Sequence, residues 1–297
     1  MIERVHFGKP LLRQLNAEGY NCVDMHYHTR YSDTYTRIRN ILKKCSKLGI
    51  GVAITDHNEI KGCADALSKN KEFGNTIIPG MEVSCREGPH FLVYFYSLSE
   101  LKEYHEKVIK KNLTKNPHIS RIRFNDLMEK TYDYNCIISA AHPSSIHPWN
   151  TQKKFESNKL DSKHIKRISA FEVLSGMCMR HMNLRAVEWA RTHNKPITGG
   201  SDGHTLRRLG SVVSCSKAGT AEEFLDSIAR KKNILIGEET KRTYRIVSNF
   251  KSISKQSRYA GCSLKAHYDM RLRGKLRPKM QQKFNGFQER MNRKRNG

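Results

Sequence analysis

Short apolar, β-rich runs alternate with amphipathic segments from about Cys22 to Gly237. The strand-like runs are Cys22–His28, Gly51–Thr55, Thr76–Pro79, His90–Tyr96, Cys136–Ala141, Ala170–Leu174 and Lys195–Gly199. Between them, Ile38–Leu48 places Ile38, Ile41, Leu42, Cys45 and Leu48 on one stripe at helical spacing. Leu184–Thr192 repeats this less cleanly with Leu184, Val187, Glu188 and Ala190. Ala221–Lys231 carries Phe224, Leu225 and Ile228, with Thr220 as N-cap and Glu222 and Glu223 in the first turn, where the helix dipole favours anions. Strands alternating with helices predict parallel pairing through right-handed crossovers. Seven strand-like runs fit a closed barrel better than a four- or five-stranded sheet.

Two segments break this rhythm. The charged stretch between Tyr96 and Asn135 predicts helices over Leu98–Ile109 and Asn125–Tyr132 with Pro117 interrupting, either an insert over a barrel mouth or a long crossover. From Lys241 to Gly297 aliphatic residues are sparse, and 17 Lys and Arg face two acidic residues, Asp269 and Glu289, a net +15. Such a segment buries too little apolar area to offset its ordering entropy, so a poorly ordered basic extension (241–297) is expected after a barrel domain (1–240). The whole chain of 297 residues carries +26, which favours polyanionic partners such as nucleotides or nucleic acid. The eight cysteines form no C-x-x-C pair. No signal-peptide h-region is visible, and no run approaches the ~20 apolar residues of a membrane span. These features predict a cytoplasmic protein of a reducing compartment.

The chemistry lies where the strand-like runs end. His26 and His28, two apart on one strand, point the same way and can grip one ion. Asp33 follows in Ser32-Asp33, and Asp56-His57 closes the Gly51 run. Glu82 sits in Pro79-Gly80-Met81-Glu82, His90 opens Phe91–Tyr94, and His142 follows Cys136–Ala141. Glu172 lies within a run, and Asp202 and His204 follow the Lys195 run. Any one of these residues alone reads as a hydrogen-bonded loop side chain. Their recurrence at successive strand ends points to a metal cluster at the C-terminal edge of a barrel. Mixed nitrogen and oxygen donors without thiolates suit Zn²⁺, Mn²⁺ or Fe²⁺.

The ordered motifs H-x-H, S-D, T-D-H, P-G-x-E, H, H-P, E and S-D-x-H, from about Cys22 to Val213, resemble the PHP (polymerase and histidinol phosphatase) family. The resemblance implies a distorted (β/α)7 barrel and hydrolysis of phosphate esters with two or three divalent ions. It implies a first ion on His26, His28, Glu82 and Asp202, and a second on Glu82, His90 and His142. Asp33, His57 and His204 would take the third. Asp56 and Glu172 would orient ligands from behind, while Arg180, Arg207 and Arg208 are candidates for gripping phosphate. The sequence departs from the family where Thr34 replaces the usual Gly after Asp33, and the run Arg86-Glu87-Gly88-Pro89 before His90 is unusual. The basic extension favours nucleotide or nucleic-acid substrates. A phosphatase of a small metabolite such as histidinol phosphate, or a nucleic-acid-binding protein with an inert barrel, are the alternatives.

Overall fold

The computed structural model describes residues 2–116, 118–146, 148–241, 244 and 257–262. The strands are β1 (Val5–Phe7), β2 (Asn21–Tyr27), β3 (Gly51–Ile54), β4 (Ile77–Ser84), β5 (His90–Phe95), β6 (Cys136–Ala140), β7 (Ala170–Ser175), β8 (Ile197–Gly200), β9 (Val212–Ser216) and β10 (Ile234–Gly237). The α-helices are α1 (Leu12–Ala17), α2 (Ile38–Leu48), α3 (Lys61–Lys69), α4 (Leu98–Tyr104), α5 (Phe124–Thr131), α6 (Thr151–Glu156), α7 (Arg180–Thr192) and α8 (Ala221–Ala229). The ten strands form one sheet in the order β1-β10-β9-β2-β3-β4-β5-β6-β7-β8. The sheet curls until the chain leaving β8 meets β2. Tyr27 bridges Gly203, and the amide of His28 donates to the Gly203 carbonyl at 3.2 Å. β2 to β8 therefore make a distorted seven-stranded barrel, and β9, β10 and β1 continue the sheet from β2.

All seven strand-like runs of the sequence are strands here, with ends shifted by a few residues. The expectation of uniformly parallel pairing is corrected. β5 runs antiparallel to both β4 and β6, and β9 runs antiparallel to β2 and β10. The connection between β4 and β5 is too short for a crossover helix, so it turns as a hairpin. The sequence reading omitted β1, β9 and β10, which are three to five residues long.

The helices follow from their stripes. α2 buries Ile38, Ile41, Leu42 and Cys45, and Gly49 ends it in the left-handed conformation (φ 66°) that a side chain would strain. Thr220 and Glu223 form a reciprocal capping box on α8. In α7 the buried face is Asn183, Ala186, Val187, Trp189 and Ala190; of the expected stripe Val187 and Ala190 are buried, whereas Leu184 and Glu188 are exposed. The buried apolar residues form two clusters: a large one between sheet and helices, with Trp189 stacked on Phe171 at 4.0 Å between ring centroids, and a smaller one joining Val23, Met25, Leu92 and Tyr94 to Phe224, Leu225 and Ile228 of α8.

The charged stretch between β5 and β6 holds α4, a π-helical turn over His105–Ile109, and α5. It comes back over the barrel mouth: His105 Nε2 lies 3.2 Å from the Asn58 carbonyl oxygen, and the His118 ring lies 5.6 Å from that of His57. Apart from residues 241, 244 and 257–262, the expected basic extension falls outside the described residues. Among the described residues no helix is long and apolar enough to cross a membrane.

The closure of the barrel depends on Gly200. A Cβ there would fall 2.5 Å from His26 Cβ and into the backbone nitrogen of the same residue. Gly200→Ala must push β8 away from β2, so we expect a loss of about 1–3 kcal/mol, the usual cost of overpacking. Urea denaturation checks this; an unchanged midpoint would mean that the strands part freely.

Candidate metal centre

The curl of the sheet brings the strand ends to one rim. His26 is the inward residue at the end of β2 and His28 follows it; His57 follows β3, His142 follows β6, and Asp202 and His204 follow β8. Because β5 is antiparallel, His90 reaches the same rim from the strand's start rather than its end. Glu82 lies within β4, bridged to His57. His142 and Asp202 hold left-handed backbone conformations (φ 31° and 49°). Such strained geometry is tolerated where surrounding contacts fix it, and it gathers at functional sites.

Glu82 is the centre. Its Oε2 lies 3.5 Å from Nε2 of both His26 and His28 and 2.9 Å from His57 Nδ1, while Oε1 lies 3.0 Å from His90 Nδ1 and 3.3 Å from His142 Nε2. Around His26 and His28, whose Nε2 atoms are 3.1 Å apart, Asp202 Oδ1 approaches to 3.6 and 3.3 Å. His26, His28, Glu82 and Asp202 thus converge as one group, and Glu82, His90 and His142 as a second. At the other end His204 Nε2 contacts Asp33 Oδ2 at 2.9 Å, with His57 Nε2 3.8 Å from the same oxygen. His57 stands between the second and third groups, one ring nitrogen toward Glu82 and the other toward Asp33. Among the described residues three sets meet the spacing of metal ligands: His26, His28 and Glu82; His57, Glu82 and His90; and His28, His57 and His204.

The electrostatics also fit a cation site. Burial alone would raise Glu82, but His57, His90 and His26 hold it well below the usual carboxylate range. Asp33 is likewise held low by His204 against the effect of burial. Burial lowers His28 to about 4 and lowers His90. Despite burial, Glu82 lifts His57 to about 9 and also lifts His142, Asp33 lifts His204 to about 10, and Glu172 heads the carboxylates that raise His26. Protons on the imidazoles offset buried carboxylate charge, the task a divalent cation performs in their place. Among the described residues, Glu82 Oε2 and His28 Nδ1 are buried without a hydrogen bond in acceptable geometry. That orphaned oxygen, facing three imidazoles, is what a bridging ligand leaves when described alone. The mixed nitrogen and oxygen donors fit divalent metal binding.

Behind these side chains lies a layer of acceptors. Glu172 Oε1 meets His26 Nδ1 at 2.9 Å, and its Oε2 accepts from the His142 amide at 2.7 Å. Asp56 accepts from the Thr29 amide and hydroxyl (2.7 and 2.6 Å) and from the Ser32 hydroxyl (2.5 Å). It thereby fixes the loop that carries Asp33, and burial pushes its carboxyl up to about 6. Asp24 was missed by the sequence reading. It accepts from the Ser201 and Gly210 amides at 2.8 and 3.0 Å, tying the chain around Asp202 to β2. Thr34 is buried in the loop without a positive φ, so the loop does not need the glycine the family usually has there.

The three candidate arginines are engaged outside the cluster. Arg180 forms a bidentate pair with Glu239 (2.5 and 2.9 Å) and lies over the Phe7 ring. Arg208 donates to the Glu238 carbonyl, and Arg207 stands over the Tyr244 ring. His118, which no strand spacing could reveal, is brought above His57 by the insert.

Residues 24–178, more than half of the chain, match the PHP domain family. The chain belongs to that family. Residues 180–233 match a second, PHP-associated family. An uncharacterized protein of Methanocaldococcus jannaschii, MJ1587, is 42% identical over 77 residues, which cover 22% of this chain and 45% of the relative, less than half its length. Two solved structures share the fold. One is a two-domain protein from Bacteroides vulgatus containing a predicted PHP-like metal-dependent phosphoesterase (15% identity, 83% of this chain and 73% of that one, TM-score 0.55). The other is Endonuclease Q bound to a 27-mer duplex with an abasic lesion at its active site (19% identity, 74% of this chain and 60% of that one, TM-score 0.56). PHP enzymes are metal-dependent phosphoesterases.

Proposed function

We propose that this PHP chain hydrolyses phosphate esters of nucleotides or nucleic acid at the rim centred on Glu82. The observation that carries the reading is that one carboxylate lies within 3.5 Å of five imidazoles, three facing Oε2 and two facing Oε1. The ligand sets are those named above: His26, His28, Glu82 and Asp202; Glu82, His90 and His142; Asp33, His57 and His204. Bound ions would polarise phosphoryl oxygens and lower the pKa of water. The protein's part is to hold these donors rigidly, with Glu172 and Asp56 fixing His26 and the Asp33 loop as positioning residues. Of the three arginines, Arg207 is exposed, whereas the bidentate face of Arg180 is occupied by Glu239.

The excess of basic charge, and the DNA bound by Endonuclease Q, favour a polyanionic substrate over a small metabolite. The test is a phosphoester screen of the full chain with Mn²⁺, covering mononucleotides, short oligonucleotides and histidinol phosphate. Hydrolysis of oligonucleotides supports the reading. Hydrolysis of histidinol phosphate alone would replace the substrate class. No hydrolysis, together with no bound metal, would leave an inert barrel.

Deleting residues 263–297 removes 11 Lys and Arg and leaves Tyr244 and Tyr259 in place. We expect KM for oligonucleotides to rise and the slope of log KM against log salt to flatten, since fewer counterions are released. Equal slopes for both forms would show that the extension does not touch the substrate.

A further inference from the structure

Two exposed aromatic side chains flank the metal centre at opposite ends. Trp149 is 39% exposed and its ring meets that of His90 edge-on at 6.5 Å. Tyr35 is 64% exposed and lines a cleft of about 290 Å³ with Asp33, His204, Arg37 and Asn40. His90 is a member of the second ligand group and Asp33 and His204 of the third, so the Glu82 centre lies between the two aromatics. The chain has two tryptophans, and the other, Trp189, is packed in the core.

The loop that carries Trp149 is braced. Asn150 donates to the Ser145 carbonyl at 2.6 Å and accepts from the Lys153 amide at 2.8 Å, and Ser144 donates to Gln152 at 2.6 Å. Beneath it, Gly88 (φ 110°) packs so closely that a Cβ would lie 2.9 Å from the Pro148 carbonyl oxygen. The unusual run before His90 thus supports the neighbouring loop. A large apolar ring kept half in water by a braced loop serves recognition rather than packing.

Resting on the phosphoesterase reading, we infer that Trp149 and Tyr35 stack on bases on either side of the scissile phosphate, so that the substrate is a phosphodiester joining two nucleotides. Stacking uses a π-face that every base has, and it tolerates sequence. Arg37, exposed in the Tyr35 cleft, pairs with the phosphate beyond the base. A monoester of an aliphatic metabolite would leave both rings idle, whereas a mononucleotide would engage one. Hydrolysis adds water across the P–O bond, giving one product with a terminal phosphate monoester and one with a free hydroxyl, and it needs no other reactant.

The test compares kcat/KM for a short single-stranded oligonucleotide, a mononucleotide and glycerol phosphate in the Mn²⁺-loaded protein, Trp149→Ala, Trp149→Phe, Tyr35→Ala and Tyr35→Phe. Each alanine variant is expected to lower the oligonucleotide-to-glycerol phosphate ratio by about tenfold or more through KM, and each phenylalanine variant to restore most of it. Titrating a phosphorothioate oligonucleotide should quench tryptophan fluorescence in the parent and not in Trp149→Phe, where only buried Trp189 remains. Ratios unchanged in both alanine variants, or monoester hydrolysis without diester hydrolysis in the parent, would overturn the inference while leaving the phosphoesterase reading standing. Hydrolysis of nothing would overturn both.

Discussion

Replacing Glu82 by alanine should empty most of the metal centre. The carboxylate serves two ligand groups at once: Oε1 faces His90 and His142, and Oε2 faces His26, His28 and His57. Without it the five imidazoles lose the carboxylate they share, and Asp202 beside His26 and His28, and Asp33 beside His28 and His57, are the carboxylates left facing that space, with Glu172 behind His26. Outer-shell partners typically account for 10–100-fold in affinity or activity, so loss of a shared ligand should exceed about a hundredfold in kcat/KM. Metal content by mass spectrometry should fall to one ion or fewer per chain. Glu82→Gln keeps the shape and loses the charge, and should fail almost as badly. Full metal content in either variant would remove Glu82 from the centre.

The gathering of these His, Asp and Glu residues at one rim was legible because strand ends leave a mark in sequence. Most apolar runs carry a His, Asp or Glu at or near one end, and the recurrence is visible without coordinates. What was not legible is the direction of β5. His90 begins its run whereas His57 and His142 follow theirs, and only the antiparallel hairpin after β4 explains how all three reach one rim. A connection of Cys85 to Pro89 is too short for a parallel crossover, so that signal was present and unused. The role of Gly200, to let β8 approach His26, had no such signal, since Gly-Gly also reads as a turn. Asp24 and His118 escaped for another reason: their roles come from segments distant in sequence, the Ser201–Gly210 loop and the insert before β6.

The arginines teach the converse. Arg180, Arg207 and Arg208 follow ligand-bearing strand ends, and proximity in sequence suggested phosphate binding. Arg180 begins α7 and meets Glu239 across 59 residues, a pairing that local pattern cannot reveal. Long charged side chains take whatever partner the tertiary fold supplies, while short ligands on strands are aimed by the backbone itself.

Glu172→Gln is expected to lower metal affinity and kcat/KM by about 10- to 100-fold, although Glu172 reaches the cluster only through His26 and His142. Both of its oxygens accept: Oε1 from His26 Nδ1 and Oε2 from the His142 amide. With Nε2 of His26 turned toward the ligand group, Nδ1 carries the proton. An amide has one acceptor for these two donors, so in either orientation its NH₂ faces another N–H. One buried group goes unpaired, at a cost of about 1–3 kcal/mol. If the amide turns its NH₂ toward His26, the imidazole loses the acceptor that fixes its tautomer. If it turns toward His142, the left-handed residue at φ 31° loses the bond that offsets its strain. Titration with Mn²⁺ separates positioning from simple unfolding: the variant should regain much of its kcat at higher metal while circular dichroism stays native. A variant that binds metal with parental affinity and works at the parental rate would show that His26 is oriented by the barrel alone.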